Sequence, residues 1–391
     1  MPQININENA TNITLAAAQQ SSTHISAFMC GISFYSKLVE GDDPVPSYKI
    51  YNNSQELLAE FDSTVLAGLS SGFEGSGRGF TGGVTTDREL HAALNYLEYG
   101  GILIAATGAT ALNRNDLNID TVFCENRLKF DDVINLVTLR QDCMGIIGSS
   151  FEYHSGNTGL YPGPDDFSDL GFTGLTGISG VTSYEDLFFA VLGRKSRTRI
   201  YGGETATIDI LMTSDAAGCF ARTDVIAFPW FAPAGVNRGK INSYVSLLPN
   251  LSDKDITNLK DDQFLNSFNS LFGSEGVYLL GDRTAETTDA NKKQVGIARL
   301  IAYIKRSFRP LLDSILFEIN DSDTRSRFVT GATAIMEFIK SGRGISSYSV
   351  VCDESNNNTA VVEAREFIVD LSFKPNFSVN TITFRFTVNQ S

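Results

Sequence analysis

An alternation of helical and strand-like segments between residues 86 and 150 constrains the fold more than any other feature. Leu90, Ala93, Leu94 and Leu97 recur at helical spacing behind Thr86 and Glu89, a capping-box pattern, and Gly100 and Gly101 end the run. ILIAAT (102–107) is a compact apolar stretch suited to a buried strand. A strand at Thr121–Cys124, a helix opening near Asp131 and Asp132, and a second buried strand in CMGIIGSS (143–150) follow. Helices interleaved with short apolar strands predict a partly parallel sheet covered on both faces. Upstream, residues 25–39 read as a strand with its turn, and Asn53 with Glu56 opens a short helix through Leu57, Leu58 and Phe61.

The last part of the chain has a different rhythm. Between Gln294 and Phe317, apolar residues follow the 3.6-residue period while Lys305, Arg306 and Arg309 face elsewhere, and Pro310 is expected to kink or divide the helix. Asp323 or Thr324 caps a second helix with Phe328, Ala332, Ile335, Met336 and Ile339 inside, ending near Gly342. Strands are expected at Ser346–Cys352, Phe367–Phe373 and Thr381–Val388. The last places Ile382, Phe384, Phe386 and Val388 on one face. Ile4 and Ile6 alternate in the same way at the other end. Such short terminal strands are marginal unless an existing sheet accepts them, in their own domain or in a neighbouring copy.

A chain of 391 residues exceeds one ordinary core, so two or three domains are expected. The reading is an arm at 1–20, an α/β outer domain at 21–275 and an α+β inner domain at 276–391. With 31 basic against 45 acidic side chains, general nucleic-acid binding is disfavoured, although a local basic patch can still meet an acidic partner. The start lacks the pattern of a signal peptide, and an apolar run long enough to span a membrane is absent. Five scattered cysteines argue against a disulfide scaffold.

The glycine-rich stretch 70–83 and the Gly/Pro/Asp-rich stretch 155–180 read as loops, 184–192 as a short amphipathic segment, and 193–199 as a basic run. Signals for chemistry are weak. His24, His91 and His154 lack zinc-ligand spacing, and His91 reads as a surface or boundary residue on its helix. Neither a phosphate loop, nor an ordered dinucleotide turn, nor a nucleophile elbow is present, so an enzyme is not expected, nor a metal or cofactor.

Four motifs then occur in order. Gly218, Ala221, Arg222, Thr223 and Asp224 lead to Phe231, Ala232, Pro233, Ala234 and Gly235. Gly281, Arg283 and Thr284 follow, then Glu318, Asn320 and Asp321, and finally Cys352, Asp353, Asn357 and Asn358 before the closing strand TITFRF. This series resembles the contractile tail sheath proteins of bacteriophages and phage-tail-like particles. The likeness fades through 21–200, and FPWFAPAG departs from the family's usual lead-in of a single aromatic or charged residue. The chain looks most similar to the shorter, two-domain sheaths.

The resemblance implies a structural polymer: hexameric rings stacked around a tail tube, bounded by baseplate and tail terminator proteins, that contract to drive the tube through a cell envelope. It implies terminal strands exchanged between subunits, here through Ile4, Ile6, Ile382, Phe384, Phe386 and Val388. Assembly is expected in the bacterial cytoplasm, with neither direct nucleic-acid contact nor membrane insertion. Tube contact is expected at Lys305, Arg306 and Arg309 or at Arg325 and Arg327. Arg222, Asp224, Arg283 and Asp353 are expected either at the domain junction or in local turns. The alternative is a non-contracting tail or baseplate component.

Overall fold

The computed structural model describes residues 24–31, 48–61, 85–114, 116–126, 129–149, 184–199, 207–248, 265–271, 275–286, 289–290 and 292–379. The terminal residues Ile4, Ile6, Ile382, Phe384, Phe386 and Val388, and the loops expected at 70–83 and 155–180, lie outside them.

Among the described residues, eight strands form the main sheet: β1 (Ile25–Met29), β2 (Tyr48–Tyr51), β3 (Ile102–Ala106), β4 (Thr121–Cys124), β5 (Met144–Ser149), β6 (Phe188–Leu192), β10 (Asn266–Ser270) and β11 (Val277–Leu280). Their order is β11-β10-β6-β5-β4-β1-β3-β2. Every pairing from β3 through β1, β4, β5 and β6 to β10 is parallel, and antiparallel β2 and β11 close the two edges. Burial on both faces follows from strand alternation. Phe28, Phe123, Ile146 and Phe189 enter one core, and Ala27, Met29, Val122, Cys124 and Phe188 the other.

The helices α1 (Ser54–Ala59), α2 (Thr85–Leu97), α3 (Ala109–Leu112), α4 (Phe130–Arg140) and α5 (Thr213–Ile226) surround this sheet. Asn53 caps α1 by accepting from Glu56 N, and Glu56 returns the favour to Asn52 N at 2.7 Å. The helix α2 spans Thr85–Leu97, and buried Glu89 accepts from Gly31 N at 2.8 Å. His91 is fully buried rather than peripheral, 3.5 Å from Asp87, and burial followed by the nearby Arg197 and Arg199 pulls its pKa down to about 3.

Residues 184–192 are a single 3-10 turn followed by the wholly buried strand β6, not an amphipathic segment. The basic run becomes β7 (Arg194–Thr198), the centre of a small antiparallel sheet with β8 (Thr207–Leu211) and β9 (Ser246–Leu248). β7 alternates buried Lys195 and Arg197 with outward residues, so the cations point inward and find partners there.

Beyond the sheet, α6 (Val295–Asp313) runs unbroken through Pro310, which sits in its last turn. It is followed by α7 (Ser322–Ser341), capped by Asp321, then β12 (Ile345–Val351), α8 (Thr359–Glu363) and β13 (Asp370–Pro375). β12 and β13 form an antiparallel pair under the two long helices. The inner module read from residue 276 includes β11, which the fold places in the large sheet. β11 pairs antiparallel with β10, the strand that precedes it in the chain.

Candidate functional site

The long helix α6 belongs to two cores. Its first turns bury Val295 and Ala298 in the sheet core, whereas Leu300, Ile304 and Phe308 enter the core shared with α7 and β12. Where α6 crosses the large sheet, a buried charge network joins the two bodies.

The network stands on the N-terminal ends of the central parallel strands. His24 precedes β1, Asp120 precedes β4 and Asp142 precedes β5. His24 Nδ1 lies 2.6 Å from Asp224 Oδ2 on α5, and its Nε2 lies 3.0 Å from Thr121 Oγ1. Arg299 donates from one terminal nitrogen to both oxygens of Asp224 at 2.7 Å and stacks its guanidinium 4.7 Å above the Phe220 ring. Seven residues and about two turns further along α6, Arg306 pairs with Asp120 and donates to Asp142 O. Asp120 in turn accepts from Ile25 N at 3.0 Å, fixing the entry to β1.

Burial alone would push the Asp224 carboxyl up, but Arg299 and His24, by charge and hydrogen bond, hold it below the usual carboxylate range. Burial likewise opposes the charge on Arg306, yet Asp120 and Asp142 outweigh it and keep the guanidinium protonated. His24, Asp120 and Asp224 bring ligand atoms within 4.8 Å of one another. The countercharge in this cluster comes from Arg299 and Arg306, so the donor set suits guanidinium groups.

An apolar clamp lies alongside. Phe228 and Trp230 stack with centroids 4.8 Å apart, Trp230 meets Tyr303 edge-on, and Phe228 meets Phe338 in the same way. Trp230 Nε1 donates to Gly342 O at 2.8 Å. A Cβ on Gly342 would approach the indole to 2.6 Å, so the backbone at the end of α7 must be bare there.

The motif residues occupy these joints and several local ones. Gly218 admits the Tyr99 ring, which would lie 2.3 Å from any Cβ, and Gly235 turns the chain at φ +78°. Of Arg222, Asp224, Arg283 and Asp353, Asp224 reaches α6 through Arg299, and Arg283 bridges to Gln294 at the start of that helix. Arg222 ties down the 238–242 turn through Arg238 O, Lys240 O and Asn242 Oδ1, and Asp353 closes its own turn onto Ser355. The backbone of Arg283 bonds to both ends of the Asn266 amide. Asn320 bonds to Asn357, whose amide clamps Ile368 N and O, so the third and fourth motifs meet in space.

From sequence, Lys305, Arg306 and Arg309 form an outward basic patch; in the fold this stripe turns toward the sheet rim. Lys305 is 6% exposed and donates to Gln141 O at 3.0 Å, and Arg309 lies 3.9 Å from Asp142. The physical reason is the row of acids at the strand starts, which attracts the cations inward. Arg325 is also buried, bound to Asn320 Oδ1 and Glu354. Arg327 is largely exposed, with Glu318 3.9 Å away. Sequence reading overlooked Arg299 and the Phe228–Trp230 clamp. Arg299 lies seven residues before Arg306, on one helical face among apolar neighbours, and that lone charge was the available signal.

The architecture is thus a largely parallel α/β sheet whose rim is bolted by a long helix to a compact helix-hairpin module. The whole chain shares its fold with the sheath complex of an extracellular contractile injection system (PVC) in the contracted state: TM-score 0.69 at 15% identity, covering 99% of this chain and 97% of that one. Residues 287–389 match the family model described as the phage tail sheath C-terminal domain. The tail sheath protein of Vibrio phage KVP40 is 32% identical over 182 residues, 46% of this chain and 26% of that protein. The tail sheath protein of Enterobacteria phage T4 is 32% identical over 177 residues, 45% of this chain and 26% of that protein. The matched segment thus spans about a quarter of the length of these curated relatives. The chain is thus similar to contractile tail sheath proteins in the sequence of its C-terminal part and to a sheath subunit in fold.

Proposed function

We propose that this chain is the structural, non-enzymatic subunit of a contractile tail sheath, polymerising around a tail tube and contracting to drive that tube through a cell envelope. The observation that carries the reading is the near-complete correspondence in fold with a sheath subunit, combined with a matching C-terminal domain sequence. The subunit divides into an arm, an outer α/β domain and an inner module, with β11 assigned to the outer sheet. Its location is a virion tail or a phage-tail-like particle, and its partners are further copies of itself, a tube protein and baseplate components.

Strand exchange supplies the links between copies. Among the described residues β12 and β13 form a sheet of two strands, and such a pair is marginal without further neighbours. The alternating segments around Ile4 and Ile6 and from Ile382 to Val388 supply those neighbours, one from another subunit. Next to the start of β12 and the end of β13, a groove of about 840 Å³ is lined by Trp230, Phe231, Arg238, Arg343, Phe377 and Val379. Backbone pairing tolerates rotation of rigid bodies about the linking arms, so the lattice stays joined while its contacts change. For tube contact, the exposed Arg327 is the best placed of the five basic residues considered.

Electron microscopy of the purified chain, alone and with its tube protein, tests the reading. Cylinders with regular stacked rings are expected. Deleting residues 1–15 should leave a folded subunit that fails to form them. Normal cylinders from that truncation would reject strand exchange, and a chain that stays monomeric with its tube would reject the sheath reading itself.

A further inference from the structure

Lys195 is fully buried, an uncommon place for a lysine. Its Nζ lies 2.7 Å from Asn95 Oδ1 on α2, 2.8 Å from Asp215 Oδ1 in the first turn of α5, and 3.3 Å from Ser243 O. Asn95 and Asp215 are themselves fully buried. Asn95 Nδ2 donates to Ser214 Oγ at 3.0 Å, which holds the amide plane. Asp215 Oδ1 also accepts from Tyr99 OH at 2.6 Å, while its Oδ2 has no hydrogen-bond partner among the described residues.

We propose that Lys195 and Asn95 join in an intramolecular isopeptide bond, with Asp215 as the proton carrier. A simple ion pair needs only an acid and a base. Here a third group, a carboxamide, is pressed against the amine where water is excluded. A 2.7 Å hydrogen bond to the amide oxygen places Nζ about 3.5 Å from Asn95 Cγ for ordinary carbonyl geometry, at the edge of reacting distance. Burial activates a lysine as a nucleophile once it has surrendered a proton, and Asp215 is in position to take it.

The step balances without a cofactor. The ammonium of Lys195 passes a proton to Asp215, and the neutral amine adds its lone pair to Asn95 Cγ. Asp215 returns the proton to the amide nitrogen, the Cγ–Nδ2 bond breaks and ammonia leaves. The departing ammonia takes up the remaining proton released by Nζ. One amide has been exchanged for another, and Asp215 ends as the carboxylate it began as. The bond ties α2 to β7 and so fastens the small sheet of β7, β8 and β9 to the helical layer over the main sheet.

Intact mass spectrometry of the purified, denatured full-length chain tests this. The chain should be lighter than its sequence mass by one ammonia. Tryptic mapping should yield a branched peptide joining Glu89–Arg114 to Lys195–Arg197, with no cleavage after Lys195. Lys195→Met and Asn95→Ala should run at full mass, and Asp215→Ala, where it folds, should stay unlinked. A wild-type chain at full mass, with Asn95 intact and Lys195 cleaved normally, would overturn the proposal and leave an ion pair. Full linkage in Asp215→Ala would overturn the role given to the acid. The wild-type measurement decides the bond even where a variant does not fold.

Discussion

Asp224→Ala is the sharpest probe of the junction, because the structure fixes what is lost. Asp224 is the acceptor for Arg299 through two contacts of 2.7 Å and for His24 through one of 2.6 Å, and Arg299 is 4% exposed. Removing the carboxylate leaves a guanidinium buried without its counterion, which costs about 3–5 kcal/mol when one partner of a buried pair is deleted. A second terminal nitrogen of Arg299 already lacks a hydrogen bond among the described residues, so the buried guanidinium leans on Asp224. Replacing both partners, as in Asp224→Ala with Arg299→Met, should recover most of that loss, because the uncompensated charge goes too. The assay is urea unfolding of the unassembled subunit, completed as a double-mutant cycle. Limited proteolysis provides a second readout, with new cleavage expected between the sheet body and α6. The same linkage sets a pH dependence. The Asp224 pKa is depressed in the folded state, so its stabilisation is present above the ordinary carboxylate range and is lost as pH falls through the lower, folded value. A cost for Asp224→Ala below about 1 kcal/mol, or strict additivity with Arg299→Met, would refute the reasoning.

Trp230→Ala should cost about 3–5 kcal/mol by emptying the clamp against Phe228, Tyr303 and Phe338, measured by the same unfolding curves; a loss within about 1 kcal/mol would contradict a joint there. Burial, opposed by the Gly31 amide and Lys129, raises the Glu89 carboxyl to about 7. Its folded pKa exceeds its unfolded value, so stability should fall as pH rises from about 4.5 through 7, and Glu89→Gln should flatten that slope and add on the order of 3 kcal/mol at pH 8. An unchanged pH profile in Glu89→Gln would rule this out. Arg327→Glu should weaken tube-templated assembly in a salt-dependent manner while leaving unfolding curves within about 0.5 kcal/mol of wild type; unaltered co-assembly in low salt would remove Arg327 from the contact.

Local periodicity made much of the fold legible. The strands at 102–106, 121–124 and 144–149 and the helices at 130–140, 295–313 and 322–341 follow from patterns contained within each segment. Reading failed where a residue's role depends on partners far along the chain. Lys195 and Arg197 look like a solvated basic run until Asn95, Asp215 and Glu98 are brought to them. The same holds for Lys305 and Arg306, whose partners lie at 119–142. Asp224 drew attention only through a family motif, and its principal partner Arg299 looked like one more charge on a helix. Pro310 leaves the helix unbroken because it sits so near the end that little of the ladder remains to disrupt.

The position of α6 in the chain has a consequence for synthesis. Every strand of the large sheet, from β1 to β11, precedes it, so the sheet body leaves the ribosome before its rim is complete. Asp120 and Asp224 receive their guanidinium partners only when residues 299–306 emerge. A chain interrupted before that point therefore carries an open apolar face and an unneutralised acidic rim. Placing the bolt last makes completion of translation a condition for closing the rim of the sheet body.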